Sequence, residues 1–161
     1  MGGGGGSGRG GLGDIESLMQ RARNELRGRE QESRQNVFLS FAYEDLDEVN
    51  LLRGQAKNER SSIEFNDWSV REPFDSTRAD YIKQKIGERI SQCSVTVVYV
   101  SDHARQSNWV NWEIKESIAR NKKVIAVHKG EKPPTQLPSA VIENRVKVVP
   151  WTSLGEALKT L

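Results

Sequence analysis

The sequence predicts a three-layer α/β domain over residues 36–161, built on a five-stranded parallel sheet of order 2-1-3-4-5. Three observations carry that expectation. Short β-branched or aromatic runs alternate with stretches whose apolar residues recur at helical spacing, the pattern of βαβ crossovers with helices on both faces of a sheet. The run Cys93–Val100 is too continuously apolar for a strand with one wet face, so it belongs at the centre of a covered sheet. Polar and aromatic clusters follow the runs, as the carboxyl ends of strands carry them in open flavodoxin-like sheets.

The elements follow in order. Residues 1–13 are nearly all glycine and have little to bury, so they read as a disordered tail. Residues 14–35 form a charged helical extension: Ile15, Leu18, Met19, Ala22 and Leu26 recur at helical spacing behind Asp14 as N-cap. That stripe ends at Gly28 after about three turns, so it reads as a solvated helix packed loosely on the domain in preference to a partner-binding or self-association helix. Val37–Phe41 reads as a buried first strand, and Glu44–Lys57 as a helix with Val49, Leu51, Leu52 and Ala56 among charges. Ser62–Asp67 reads as a strand, residues 68–76 as a loop holding Pro73, and Thr77–Ile90 as a helix. After the central strand come a helix over Asn108–Arg120, a strand over Lys123–His128 and a loop with three prolines over Gly130–Ala140. Arg145–Val149 supplies the last strand and Ser153–Leu161 the closing helix.

Composition narrows the function. Hydrophobic residues make up 35% and charged residues 29% of 161, a globular balance with enough apolar matter for one core. The formal net charge is +2, with 24 basic and 22 acidic residues interspersed, so no concentrated basic face points to nucleic acid. No apolar run is long enough to span a bilayer, and the N-terminus lacks the apolar core of a secretory signal. The single cysteine, Cys93, cannot form an internal disulfide, which suits the cytoplasm.

Phosphate-binding glycine loops, a GxSxG elbow, HExxH and CxxC are all absent, and His103 and His128 stand on different loops with no second ligand at metal spacing. Ser101, Asp102 and His103 are the residue types of a hydrolytic triad, but neighbours in sequence rarely face one another. What remains is a constellation at the expected carboxyl edge: Phe41–Asp45, Asp67–Phe74, Ser101–His103 and the helix after Ser107. Ser107 or Asn108 can cap that helix, so Trp109 and Glu113 share a face one turn apart, and the helix start favours anions such as a pyrophosphate. Glu113 could by itself be an ordinary acid near a helix start. Trp109 and Trp112 fit core or cleft wall, Phe41 and Tyr43 fit ring stacking or packing, and Asp45 fits a helix cap or a ligand contact.

In order and spacing, Val37-Phe38-Leu39-Ser40-Phe41, Asp67-Trp68-Ser69-Val70, Glu72-Pro73-Phe74 and Trp109-Val110-Asn111-Trp112-Glu113-Ile114 resemble TIR domains. The closer resemblance is to the bacterial TIR-like group first described as a domain of unknown function, which includes the signal-producing proteins of Thoeris antiphage systems. It covers residues 36–127. The resemblance implies a TIR-like fold and an enzyme of NAD glycohydrolase or ADP-ribosyl cyclase type. Such an enzyme releases nicotinamide and makes a cyclic or conjugated ADP-ribose signal for a downstream effector. It implies NAD as substrate with no further cofactor or metal, a homo-oligomer as the working form, and Glu113 as the catalytic carboxylate at the ribose beside nicotinamide. Phe41, Tyr43, Asp45, Asp67, Arg71, Ser101, His103 and Trp109 are then the substrate-side candidates, with Arg71 placed to meet a phosphate. The alternative is a non-catalytic TIR-like module acting through homotypic contacts. A phospho-receiver on the same fold is disfavoured, because its acid pair, aspartate and lysine are missing. The chain departs from the family at residues 68–76, which lack the glycine of many eukaryotic TIR loops, and in its own Ser101–Gln106 segment.

Overall fold

A computed structural model of the chain describes residues 12–33, 35–58, 63–66 and 72–161. The chain divides into two compact units, Met1–Arg34 and Gln35–Leu161. In the first, helix α1 runs Leu12–Ser33, so Asp14 lies in its first turn rather than capping it; residues 1–11 of the expected glycine tail lie outside the described residues.

The second unit alternates strands and helices. β1 (Gln35–Ser40) leads through a 3₁₀ turn, Tyr43–Asp45, into α2 (Leu46–Asn58), and β2 (Ile63–Asn66) precedes α3 (Ala79–Gln92). β3 (Val95–Tyr99) is followed by two consecutive helices, α4 (Asp102–Gln106) and α5 (Asn108–Ala119). β4 (Lys123–His128), α6 (Ser139–Glu143), β5 (Lys147–Pro150), a 3₁₀ turn at Trp151–Ser153 and α7 (Leu154–Lys159) complete it. All neighbouring strands pair in parallel, in the order β2-β1-β3-β4-β5, which is the topology expected from the sequence.

The period of two along each strand sorts the core onto two faces. Val37 and Leu39 of β1, Val95, Val97 and Tyr99 of β3, and Ile125 and Val127 of β4 pack with Val49 and Leu52 of α2 and Leu154 and Leu158 of α7. On the other face, Phe38 packs with Ile82, Ile86 and Ile90 of α3 and with Trp109 of α5. Val98, Ala126, Val110, Ile114 and Val141 fill the rest of that side. Every residue of β3 is buried, so the continuous apolar run has the physical cause the sequence suggested.

Three local features differ from expectation. The stretch after β3 is helical: the Ser101 hydroxyl accepts from Ala104 N at 3.0 Å and caps α4, which is too short to show a helical period. α6 grows out of the proline-rich stretch, and its N-terminus is satisfied from α5, where Asn111 Oδ1 accepts from Ala140 N at 2.9 Å. β5 starts at Lys147 because Arg145 adopts φ 51, a left-handed conformation that strands exclude.

Candidate active site

α5 carries the most informative motif, and each of its residues has a distinct task. Ser107 caps the helix, its hydroxyl accepting from Val110 N at 3.2 Å. Trp109 is buried and donates from Nε1 to the carbonyl of Glu72 at 2.8 Å, which ties residues 72–76 to the helix start. Its ring meets Phe74 edge-on at 5.0 Å and Trp112 at 6.2 Å, and Lys83 Nζ lies 4.3 Å from the Phe74 ring centre. Val110 and Ile114 go into the core, and the Asn111 amide bridges the Ser107 carbonyl and α6. Glu113 lies one turn beyond Trp109 and is 3% exposed.

The turn that bears Glu113 is pinned to the sheet. Ser117 donates its hydroxyl proton to the Glu113 carbonyl at 2.7 Å, so in the 2.8 Å contact with Thr96 the Thr96 hydroxyl is the donor. Thr96 and Ser117 are both fully buried, and this chain fixes the height of α5 above β3. At the carboxyl end of β1, Ser40 lies on the same strand face as Phe38, fully buried, with its hydroxyl bonded to no protein atom.

Glu113 and Trp109 line a cleft of about 370 Å³ with Phe41, Tyr43, Glu44, Glu72, Pro73, Phe74, His103, Gln106, Ser107 and Asn108. The cleft sits where the order of the sheet reverses beside β1, at the carboxyl ends of the strands. Its walls are aromatic, its described acids are Glu44, Glu72 and Glu113, and the start of α5 adds a positive dipole end.

The far wall is built on Asp45, a residue of the 3₁₀ turn that is 5% exposed. One carboxylate oxygen, Oδ2, accepts the hydroxyl proton of Ser101 in a short hydrogen bond. The other, Oδ1, lies 3.1 Å from His103 Nδ1. A carboxylate only accepts, so Nδ1 carries the proton and Nε2 is the nitrogen left for the cleft. The Asp45 hydrogen bond, followed by the charges of Asp45, Glu44 and Asp102, raises the His103 pKa above its ordinary 6.5. This is not a hydrolytic triad, because the Ser101 proton goes to the carboxylate rather than to the imidazole.

The structure thus brings Phe41, Tyr43, His103, Trp109 and Glu113 together at one cleft. Asp45 is not a lining residue; it holds Ser101 and His103 behind the wall. Ser101 caps α4 and lines a neighbouring groove with Asp102, His128 and Lys129. Asp67 and Arg71 lie outside the described residues. Glu44, Phe74, Gln106 and Asn108 are lining residues that the sequence reading did not single out as site residues; their adjacency to Tyr43, Pro73 and Trp109 was the available signal. Elsewhere, burial pushes the Cys93 thiol pKa up, which suits packing rather than nucleophilic attack. His128 is buried at the end of β4 rather than on a loop, with Nδ1 at 3.1 Å from the Lys129 carbonyl. Lys129 pairs with Glu48 at 2.7 Å and, with the Tyr99 hydroxyl, lowers the Glu48 pKa. Among the described residues, no group of three or more His, Cys, Asp or Glu could hold a metal ion, and no helix is long and apolar enough to cross a membrane.

Comparison with known proteins bears on the family and the fold. The profile of a family described as Thoeris protein ThsB, TIR-like domain, matches residues 38–133. A Bacillus cereus (strain MSX-D12) protein named "Putative cyclic ADP-D-ribose synthase ThsB1" is 31% identical over 96 residues, covering 57% of this chain and 50% of that protein. The chain therefore spans about half the length of the curated relative it matches. Among solved structures, the TIR domain of the Toll-related receptor TRR-2 of Hydra magnipapillata superposes with a TM-score of 0.53 at 16% identity, over 76% of this chain and 97% of that one. A 2-deoxyribosyltransferase of Bacillus psychrosaccharolyticus gives 0.54 at 14% identity, over 74% and 90%. At those identities the two structures share the fold alone. The chain belongs to the Thoeris ThsB family of TIR-like domains.

Proposed function

We propose that the chain is an NAD-processing enzyme of antiphage defence, which releases nicotinamide and turns the ADP-ribose part into a cyclic or conjugated signal. The observation that carries this reading is the position of Glu113, a carboxylate almost wholly buried yet lining the cleft, one turn from Trp109. The name of the Bacillus cereus relative, "Putative cyclic ADP-D-ribose synthase ThsB1", supports the product class.

The chemistry follows from the placement. The glycosidic bond breaks with its electron pair going to the pyridinium nitrogen, so nicotinamide leaves neutral and the ribose carbon gains oxocarbenium character. A carboxylate at the depth of Glu113 accepts from the ribose hydroxyls and opposes that charge where the effective dielectric is low. Phe41, Phe74 and Trp109 offer flat apolar surfaces for the ring and disfavour water, which would divert the reaction to free ADP-ribose. An atom of the same ADP-ribose then closes a ring, or an external acceptor gives a conjugate. NAD arrives with a cationic leaving group, so the step needs positioning and charge rather than a further cofactor. In this reading the working form is a homo-oligomer, and the product acts on a separate effector.

The test is nucleotide analysis of cells carrying the wild type or Glu113→Ala under phage challenge. The expected outcome is NAD loss and a new ADP-ribose-derived nucleotide in the wild type alone. Identical NAD levels and no Glu113-dependent nucleotide would remove the enzymatic reading.

A further inference from the structure

The cleft poses a charge problem for the substrate proposed above. A dinucleotide brings a pyrophosphate with two negative charges, yet the described lining holds three acids, Glu44, Glu72 and Glu113. Among the described lining residues the only side chain able to carry positive charge is His103. We propose that His103, clamped through Nδ1 by the buried Asp45, is the pyrophosphate anchor of the cleft, presenting Nε2–H to a phosphoryl oxygen. The inference rests on the NAD reading and adds the polarity with which the substrate lies: ribose toward Glu113, phosphates toward α4.

The geometry suits the task. Asp45 is fixed twice, by Ser101 Oγ–H and by His103 Nδ1–H, and Ser101 is itself fixed as the cap of α4. The imidazole therefore has one orientation, while its side chain is 58% exposed and open to a ligand. The charges that act on it are acidic, Asp45 and Glu44 from the 3₁₀ turn and Asp102 from α4, while Glu48 of α2 is taken up by its pair with Lys129. They favour the imidazolium, and an imidazolium facing a phosphate forms a charge-assisted hydrogen bond. The positive end of α5, at the same cleft, adds to the attraction.

Calorimetric titration of the full chain tests the proposal with three probes: NAD, ADP-ribose and nicotinamide riboside, which has no phosphate. His103→Gln is expected to weaken NAD and ADP-ribose binding about 3- to 10-fold and to leave nicotinamide riboside unchanged, as loss of one exposed charge-assisted contact implies. His103→Lys is expected to retain the affinity. Wild-type NAD affinity is expected to fall as pH rises through the His103 pKa, and His103→Lys to flatten that dependence. Equal weakening of all three probes by His103→Gln would mean a merely structural role and overturn the proposal. So would unchanged NAD affinity, or unchanged affinity with a collapse of turnover in His103→Lys, which would mark proton transfer instead. If Glu113→Gln abolishes nicotinamide release while His103→Gln changes no affinity, the NAD reading stands and the anchor falls. If the wild type binds neither NAD nor ADP-ribose, both fall.

Discussion

The two walls of the cleft are built in different ways. On one side, Ser107, Trp109, Asn111 and Glu113 stand within seven consecutive residues of a single helix, and their spacing alone sets which of them share a face. On the other, Asp45 meets Ser101 and His103 across 56 and 58 residues of chain, and nothing local announces the contact. The α5 wall is held by apolar burial and aromatic contacts, the α4 wall by a polar cluster around one buried carboxylate. Apolar burial contributes through area and falls steeply when volume is lost. A polar cluster contributes less net stability but fixes orientation and protonation. The first wall should therefore respond to substitution mainly in stability and rate, the second mainly in pH dependence and affinity.

The strongest test of that contrast is Trp109→Ala. Removing a buried indole that contacts Phe74, Trp112 and the Glu72 carbonyl should cost about 3–5 kcal/mol, read by chemical denaturation. A loss below about 1 kcal/mol would show that the α5 wall is not held by packing. Glu113→Gln, which keeps the shape, should lower the rate of nicotinamide release about 10²- to 10³-fold, as loss of one aligned electrostatic group in a buried site does. A near-wild-type rate with intact folding would take the chemistry away from this wall. Thr96→Val removes the donor to Ser117 beneath the Glu113 turn and should destabilise the domain by about 1–2 kcal/mol.

The smallest effect sharpens the other wall. Asp45→Asn should bring the His103 pKa down toward its ordinary 6.5, followed by the NMR titration of the imidazole. A histidine whose folded pKa is raised adds stability that is fully present below its unfolded pKa and is lost as pH rises through the folded one. The wild type should lose this contribution across that window, and Asp45→Asn should lose less. An unmoved His103 titration would show that Asp45 does not set the imidazole charge.

How much of this was legible in the sequence follows the same division. The five strands and their order could be read because β-branched runs separated by helical repeats leave few ways to build a covered parallel sheet. Glu113 and Trp109 could be placed at the cleft because helical periodicity is a local property and the topology says which end of the sheet binds. The short helix α4 and the one-turn α6 were not legible. Five residues show no period, and the N-terminus of α6 is satisfied by Asn111 from another helix. Asp102 is the acid next to His103 in the chain, but side chains adjacent on a short helix diverge, and the carboxylate that reaches the imidazole comes from the 3₁₀ turn after β1.

Hydrophobic period and capping act within a few residues, so the sheet, its order, the side on which the cleft opens and the helix that carries Glu113 are encoded locally in the chain. Long-range packing set the rest: Asp45 bridges Ser101 and His103, Asn111 starts α6, and Thr96 and Ser117 set the height of α5. Each of these joins segments far apart in the chain, and a buried polar group takes whichever partner the packed fold brings within reach.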